Sequence, residues 1–109
     1  MIYETLTYAV DHNVAVITLN RPKVMNALNS QMRVEITDAV GQAGQAARVV
    51  VLTGSGRAFC SGQDLGAEGN FADIDLERTL KDEYVPMLKA ITECPVPTIS
   101  AVNGPAAGA

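Results

Sequence analysis

The chain has 109 residues, which is enough for one small domain at most. Hydrophobic residues make up 48% and charged residues 18%, a balance that excludes a disordered chain or a polar tail. The formal net charge of -4, with no block of basic residues, argues against binding to nucleic acid or to an anionic membrane surface. No apolar run approaches the roughly 20 residues that a membrane span needs. We therefore expect a globular protein with no nucleic-acid and no membrane partner.

The sequence contains two cysteines, Cys60 and Cys94, and one histidine, His12. Two cysteines cannot build a disulfide framework and fit a reducing compartment, so we expect a cytoplasmic protein. The first residues show neither the basic region nor the apolar region of a signal peptide. A single histidine removes most zinc sites, so no metal is expected, and any Ser-His-Asp triad would depend on His12 alone.

The first half of the chain predicts two strands, a helix and a third strand. Residues 2–8 alternate between apolar and polar side chains, and Val14–Leu19 is rich in β-branched residues. A polar turn at 11–13 separates them, which predicts an antiparallel hairpin with an exposed tip. The spacing of apolar residues predicts a helix over 30–47, and the apolar run at 48–53 predicts a buried parallel strand.

The second half predicts a long loop, a helix and a last strand. The glycine-rich stretch 54–73 predicts a loop of about 20 residues, a length that is usually functional or mobile. A second helix is predicted over 75–93, with Pro86 kinking or interrupting it, and a strand over 98–102. The apolar face of that helix is predicted to consist of Leu76, Leu80, Tyr84, Met87, Leu88 and Ile91.

The order of these elements is β-β-α-β-loop-α-β, which predicts parallel crossovers and an α/β sheet. The predicted elements end just after a strand and a glycine-containing turn, where an α/β unit would next place a helix. We therefore expect the 109 residues to be the front part of a longer fold, and a cooperative melt of these residues alone would contradict that expectation.

The stretch Thr53–Leu65 is the first candidate for chemistry, because it follows a buried strand and so lies at the sheet edge where α/β proteins bind ligands. It lacks the lysine of a P-loop, and Phe59 stands where a dinucleotide-binding fingerprint has its third glycine. Both observations argue against a nucleotide-binding loop. A third possibility is a set of backbone N–H donors for an anionic oxygen on residues 61–64, if a short helical turn starts there. Asp64 is then better explained as a helix cap or turn former than as a catalytic carboxylate.

Two side chains in this stretch are candidate nucleophiles. Ser61 lacks a G-x-S-x-G elbow, and the one histidine lies on a distant hairpin tip, which argues against serine hydrolysis. Cys60 is predicted to be a small buried hydrophobe, although the nearby Arg57 leaves a reactive thiol open. The basic turn Arg21–Lys23 is either a phosphate contact or an ordinary solvated turn.

Three segments carry a resemblance to a known family. They read LNRPKVMNALN at Leu19–Asn29, VVVLTGSGRAFCSGQDL at Val49–Leu65 and PTISAVNGPAAGA at Pro97–Ala109. In this order they resemble the enoyl-CoA hydratase/isomerase family, the crotonases, over essentially the whole chain but only the amino-terminal part of the family's fold. The strings FCSGQDL and NGPAAGA are similar to the branch that includes 1,2-epoxyphenylacetyl-CoA isomerases.

The resemblance implies an α/β fold of the ClpP/crotonase type, a spiral of β-β-α units, with 1–109 as the amino-terminal part of a single domain. It implies an acyl thioester of coenzyme A as substrate, no separate cofactor, and a homotrimer or a hexamer. Two backbone N–H groups would form an oxyanion hole around the thioester carbonyl, on Gln63 and Ala109 by motif position. Lys23 would contact a CoA phosphate. The full set implied in substrate and CoA binding is Lys23, Met25, Ala27, Ser61, Gly62, Gln63, Asp64, Leu65 and Gly108.

No residue matches the family's acid/base carboxylates, which follow the second oxyanion position and so would lie beyond Ala109. The resemblance therefore implies an acyl-CoA hydratase or isomerase that acts through an enolate, with these residues polarising the carbonyl. Two alternatives stay open: a truncated or non-catalytic CoA-binding module, and another activity on the same fold, such as thioester hydrolysis or a Clp-type serine protease. Residues 66–73 are expected to line the acyl pocket.

Overall fold

A computed structural model describes residues 1–66 and 75–109. Its strands are β1 (Leu6–Asp11), β2 (Val14–Leu19), β3 (Val49–Gly54) and β4 (Thr98–Ser100). Its helices are α1 (Ser30–Ala46), α2 (Leu76–Thr79) and α3 (Val85–Thr92), with a 3-10 turn at Pro22–Val24 and a π-helical turn at Leu80–Tyr84. In the described part of the chain, no helix is long and apolar enough to cross a membrane.

The four strands form one sheet in the order β1-β2-β3-β4. β1 and β2 pair antiparallel, whereas β2 with β3 and β3 with β4 pair parallel, as the sequence predicts. The hairpin turns at His12 and Asn13, whose φ angles of 51° and 65° are those of a tight two-residue turn. The His12 side chain is 91% exposed, which confirms it as an exposed turn residue.

β1 begins at Leu6 and not near residue 2, so the predicted bounds of the first strand are wrong. Before β1, the Thr5 carbonyl still accepts from the Asn20 N–H at 2.8 Å, whereas the backbone N–H groups bond to a side chain. The N–H groups of Glu4 and Thr5 donate to the carboxylate of Glu35 at 3.0 and 2.9 Å. These bonds fasten the N-terminal segment to α1, and a carboxylate 30 residues away leaves no trace in the local alternation pattern.

α1 covers one face of the sheet. Its N-cap is Asn29, whose side-chain oxygen accepts from the Met32 N–H at 2.8 Å. The buried core includes Met32, Ile36, Ala39, Val40 and Ala43 of α1 and Ala15, Ile17, Leu19 and Val50 of the sheet. Each large apolar side chain buried there contributes about 1.5–3 kcal/mol, so the helix face drives its docking on the strands.

The helical segment after residue 75 buries a different face from the predicted one. Tyr84 and Met87 are buried as predicted, and Ile91 packs against the core. The other three predicted core residues, Leu76, Leu80 and Leu88, are about half exposed. The predicted apolar face is therefore wrong at these three positions.

The cause is the π-helical turn at Leu80–Tyr84. The Val85 N–H bonds to the Leu80 carbonyl five residues earlier, so the turn holds one more residue than an α-helical turn and rotates the later residues about the helix axis. The buried side chains are Thr79 before the turn and the adjacent Glu83 and Tyr84 within it, a spacing that a regular α-helix would not give. Pro86 is the second residue of α3, and the backbone remains helical at Thr79, Tyr84 and Val85, so this proline follows a change in hydrogen bonding and not a break in the helix.

Candidate functional site

Three loop segments meet beyond the ends of β2, β3 and β4. The Leu28 N–H donates to the Gly62 carbonyl at 2.7 Å, and the Asp64 N–H donates to the Leu28 carbonyl at 2.9 Å. On the other side, the Ala107 N–H donates to the Cys60 carbonyl at 3.0 Å. Residues 60–64 therefore lie between the segment before α1 and the segment after β4, and the three segments singled out in the sequence form one site.

Two glycines bring the predicted donor residues together. Gly62 and Gly108 have φ angles of 98° and 68°, and a Cβ atom built on Gly62 would lie 2.9 Å from the Ala107 carbonyl oxygen. Only glycine permits so close an approach of two backbones. Gln63 and Ala109 follow these glycines directly, and their N–H groups bond to no group in the described part of the chain.

The backbone direction at Gln63 follows from its bridge to Leu28. Leu28 bonds to residues 62 and 64, as in a parallel ladder, so the Gln63 N–H points away from Leu28. Residues 61–66 contain no helix, so at Gln63 an extended segment and not a helical turn presents this N–H. A cavity of about 210 Å³ adjoins the second donor and is lined by Phe59, Cys60 and residues 106–109.

Asn26 holds the first segment to the second and was missed by the sequence analysis. It is fully buried with a φ of 57°, which asparagine tolerates better than most residues. Its side-chain oxygen accepts from the Arg21 N–H at 2.8 Å, and its amide nitrogen donates to the carbonyls of Ser55 and Ala58, both at 3.0 Å. The asparagine within the string VMNALN is the one available sequence signal for this link.

Asn103 holds the third segment to the second from the opposite side. Its amide nitrogen donates to the carbonyls of Gly56 and Ala58 at 3.2 and 3.1 Å, and its oxygen accepts from the Gly54 N–H at 3.0 Å. The Ala58 carbonyl therefore accepts from both Asn26 and Asn103. The sequence predicts a glycine-containing turn after the last strand but not this role of Asn103.

Asp64 acts as a turn former and an ion-pair partner. One carboxylate oxygen accepts from the Gly66 N–H at 3.0 Å, and the other lies 3.0 Å from the Arg21 guanidinium. These contacts match the structural interpretation of Asp64. The ion pair gives Arg21 a partner within the protein. Lys23 is therefore the exposed cation of the basic turn Arg21–Lys23.

The other residues implied in CoA binding lie around the first segment. Lys23 lines an open groove of about 470 Å³ that is formed by residues 20–24. Met25 is half-buried, and its carbonyl oxygen accepts from the Ser61 N–H at 3.0 Å, while Ala27 is buried. Leu65 is exposed just after the bridge. Residues 67–73 lie outside the described residues, so the expectation that 66–73 line the acyl pocket stays a prediction.

The candidate nucleophiles have structural roles. Cys60 is buried in the core, and this burial raises the pKa of its thiol, which argues against a reactive cysteine. The Ser61 hydroxyl donates to the Val24 carbonyl at 3.3 Å. His12 lies at the opposite end of β2 from this site, so it cannot activate that hydroxyl.

A buried charged cluster behind Gln63 was also missed. Arg33 is 0% exposed, and its Nε lies 2.8 Å from a carboxylate oxygen of Glu83. Its Nη1 donates to the Leu28 carbonyl at 2.9 Å and to the Gln63 side-chain oxygen at 3.0 Å. The hydroxyl of Tyr84 donates to the same Gln63 oxygen. The sequence did contain a signal for this cluster. Arg33 lies on the apolar stripe of α1, three residues before Ile36 and seven before Val40, where a charged side chain must be buried with a partner.

The two charges of this cluster stabilise each other. Burial by itself would raise the pKa of Glu83, but hydrogen bonds from Arg33 and Ser30 and the charge of Arg33 outweigh it, so the pKa lies below its usual range. The guanidinium of Arg33 also lies over the ring of Tyr84, 4.8 Å from its centre. Glu83 is therefore a carboxylate at neutral pH and compensates the buried cation.

Known proteins share both the sequence and the fold of this chain. The family model described as enoyl-CoA hydratase/isomerase matches residues 9–109. A Rhodobacter capsulatus protein named "Probable enoyl-CoA hydratase" is 57% identical over 109 residues, covering 100% of this chain and 42% of the relative. The 1,2-epoxyphenylacetyl-CoA isomerase of Escherichia coli is 36% identical over 105 residues, covering 92% of this chain and 40% of the relative.

Solved structures agree with these sequence matches. An enoyl-CoA hydratase/carnithine racemase from Magnetospirillum magneticum superposes with a TM-score of 0.86 at 29% identity, covering 98% of this chain and 42% of that one. An enoyl-CoA hydratase/isomerase from Mycobacterium paratuberculosis superposes with a TM-score of 0.81 at 32% identity, covering 95% and 43%. The chain thus spans about two fifths of the length of the relatives that it matches.

Proposed function

Because the chain belongs to the enoyl-CoA hydratase/isomerase family and has the crotonase-like fold, we propose that it forms the thioester-binding part of an enzyme that acts on acyl-CoA. In this proposal residues 1–109 are the amino-terminal part of one crotonase-like domain. Two observations support the proposal. The chain spans about two fifths of the length of its relatives, and the site consists entirely of loops at one edge of the sheet.

The contact between Gly62 and Gly108 carries the proposal. Gln63 and Ala109 directly follow these two glycines, and their N–H groups have no protein acceptor in the described part of the chain. A thioester carbonyl gains negative charge as an enolate forms. Donors fixed in place beforehand lower the barrier by about 3 kcal/mol each, because they need no rearrangement during the reaction.

The exposed Lys23 supports recognition of the CoA part. It lines the groove at residues 20–24 on an otherwise acidic chain, and its ammonium group offers a contact for a CoA phosphate. Arg21 cannot take this role while it is paired with Asp64. In the proposal, the acyl-CoA therefore runs from Lys23, past the bridge at Leu28, to the two backbone donors.

Enolate formation is common to hydration and to double-bond shifts, and relatives of this chain are named as hydratases and as an isomerase. We propose an enoyl-CoA hydratase or isomerase at this level, active as a homotrimer or a hexamer. The free thiols of Cys60 and Cys94 support a reducing, cytoplasmic location. A CoA-binding module without catalysis and a thioester hydrolase are the competing possibilities.

Turnover of an enoyl-CoA by the purified full-length protein, followed by the ultraviolet absorbance of the conjugated thioester, tests the proposal. Gln63→Pro deletes one donor N–H and should lower turnover by about 10²-fold or more. Gln63→Ala is the matched control, because it keeps the N–H, and it should lose far less. Equal activity of the proline variant and the wild type would refute the assigned donor. Saturable acyl-CoA binding without turnover would favour the binding module, and release of free CoA would favour the hydrolase.

A further inference from the structure

We propose that Arg33, together with Glu83, is a positioning residue that holds Gln63 in the orientation needed for its backbone donor. This inference rests on the proposed function, since it assigns a role to residues that lie behind the same donor. Neither Arg33 nor Glu83 is expected to touch the substrate, because both are buried.

A single nitrogen of Arg33 joins both sides of the bridge that carries the donor. Its Nη1 donates to the Leu28 carbonyl at 2.9 Å and to the Gln63 side-chain oxygen at 3.0 Å. The same Leu28 carbonyl accepts the Asp64 N–H. Gln63 is thus fixed through its backbone neighbours and through its own side chain, and rotation of its peptide would break bonds at both points.

Glu83 sets the orientation of the guanidinium. It accepts from Nε of Arg33 at 2.8 Å, and this bond directs the opposite edge of the planar group towards Leu28 and Gln63. The π-helical turn makes this possible, since it turns the adjacent residues Glu83 and Tyr84 both inward. Tyr84 then adds its hydroxyl as a second donor to the Gln63 oxygen.

The cluster resembles a positioning device more than a source of stability. Replacing a buried ion pair by apolar residues of similar volume is often neutral for stability, because desolvation of the charges offsets their attraction. The hydrogen-bond acceptors of the cluster, in contrast, belong to the two segments that present the donor. Loss of Arg33 and Glu83 together is therefore expected to affect orientation more than folding.

A mutant cycle in the full-length protein tests this role. One arm is the double variant Arg33→Met/Glu83→Leu, the second is Gln63→Leu, which keeps the N–H, and the third combines all three substitutions. We expect each of the first two to lower kcat for an enoyl-CoA about tenfold with KM changed less than threefold, because a small misplacement of a catalytic group affects the transition state most. The combined variant should lose clearly less than the product of the two separate losses, because the two arms share the bond from Arg33 to the Gln63 side chain.

Two further variants keep the test decisive. Arg78→Met is the matched control, because Arg78 also pairs with Glu83, at 3.1 Å, but is 52% exposed and has no bond to Gln63. It should keep kcat within twofold of the wild type. If the double variant does not fold, Arg33→Lys replaces it in the cycle, since lysine keeps the positive charge beside Glu83 but lacks the planar group that bonds to Leu28 and Gln63.

The outcomes separate the two proposals. Multiplicative losses in the combined variant, or a double variant with wild-type kcat, would overturn the positioning role while the proposed function stands. A wild-type protein that neither binds acyl-CoA nor turns over any enoyl-CoA would overturn the proposed function, and the positioning role with it.

Discussion

Replacing Asn26 by alanine should separate the first segment of the site from the second. The side chain makes three hydrogen bonds of 2.8 to 3.0 Å, with the Arg21 N–H and with the carbonyls of Ser55 and Ala58. All three partners are backbone groups, so the substitution cannot be compensated by a change of rotamer. The expected result is a clear loss of stability together with a loss of acyl-CoA binding.

The magnitude follows from the geometry. Each hydrogen bond contributes about 1 kcal/mol net, and the Ala58 carbonyl keeps the amide of Asn103 as a donor at 3.1 Å. A left-handed backbone conformation costs alanine about 1 kcal/mol more, because its Cβ approaches the carbonyl oxygen. Together these losses predict a decrease of about 4 kcal/mol in the free energy of unfolding for Asn26→Ala.

Asn13→Ala provides the matched control. Asn13 has a similar φ of 65° but is exposed in the hairpin turn, so the substitution carries only the backbone cost of about 1 kcal/mol. Urea denaturation of the purified protein, followed by circular dichroism, measures both variants. A difference between them below about 1 kcal/mol would refute the account of Asn26, since the three buried bonds would then contribute nothing.

Two further predictions concern the glycines and the buried carboxylates. Gly62→Ala should lower enoyl-CoA turnover more than about tenfold, because its Cβ would meet the Ala107 carbonyl at 2.9 Å. Gly41→Ala, with nothing within 4 Å, should instead raise the free energy of unfolding by about 0.5–1 kcal/mol, and similar kinetics for both variants would contradict the assignment. Hydrogen bonds from Thr5 and Gln31 outweigh the effect of burial and lower the pKa of Glu35 below its ordinary 4.5. Its contribution to stability is therefore complete above pH 4.5 and is lost as the pH falls through the lowered value. The difference in unfolding free energy between wild type and Glu35→Gln should shrink in acid, and a constant difference from pH 7 to about pH 3 would contradict this.

Much of the fold could be predicted from local sequence patterns. The β-branched run Val14–Leu19, the apolar periodicity of α1 and the buried run after it determine strand, helix and parallel strand in the observed order. The N-cap of α1 is local as well, since the Asn29 side chain bonds to the Met32 N–H three residues later. These elements are predictable because each depends on residues that lie close together in the sequence.

Errors arise where a distant residue decides the local structure. The start of β1 depends on Glu35, 30 residues away from Thr5, and no alternation pattern contains that information. The inward face of the second helical segment depends on the π-helical turn, which shifts every later residue against the simple period. The ion pair of Arg33 with Glu83 joins positions 50 residues apart.

The site could be predicted in outline from the three sequence segments. The glycine-rich stretch pointed to backbone donors for a ligand, and the structure adds a contact that was not predicted, between Gly62 and Gly108. The asparagines that hold these segments were missed, because asparagine is common in turns and its buried contacts depend on the complete fold. Asn26 and Asn103 meet at one carbonyl, and only tertiary structure reveals that meeting.

The central claim is that two backbone donors polarise a thioester carbonyl. Isotope-edited infrared spectroscopy of a saturated acyl-CoA, labelled with ¹³C at the thioester carbonyl and bound to the full-length protein, measures that polarisation directly. We predict that the carbonyl stretching frequency falls on binding, and that Gln63→Pro removes much of the fall while some binding persists. An unchanged frequency in the bound state of the wild type would contradict the claim.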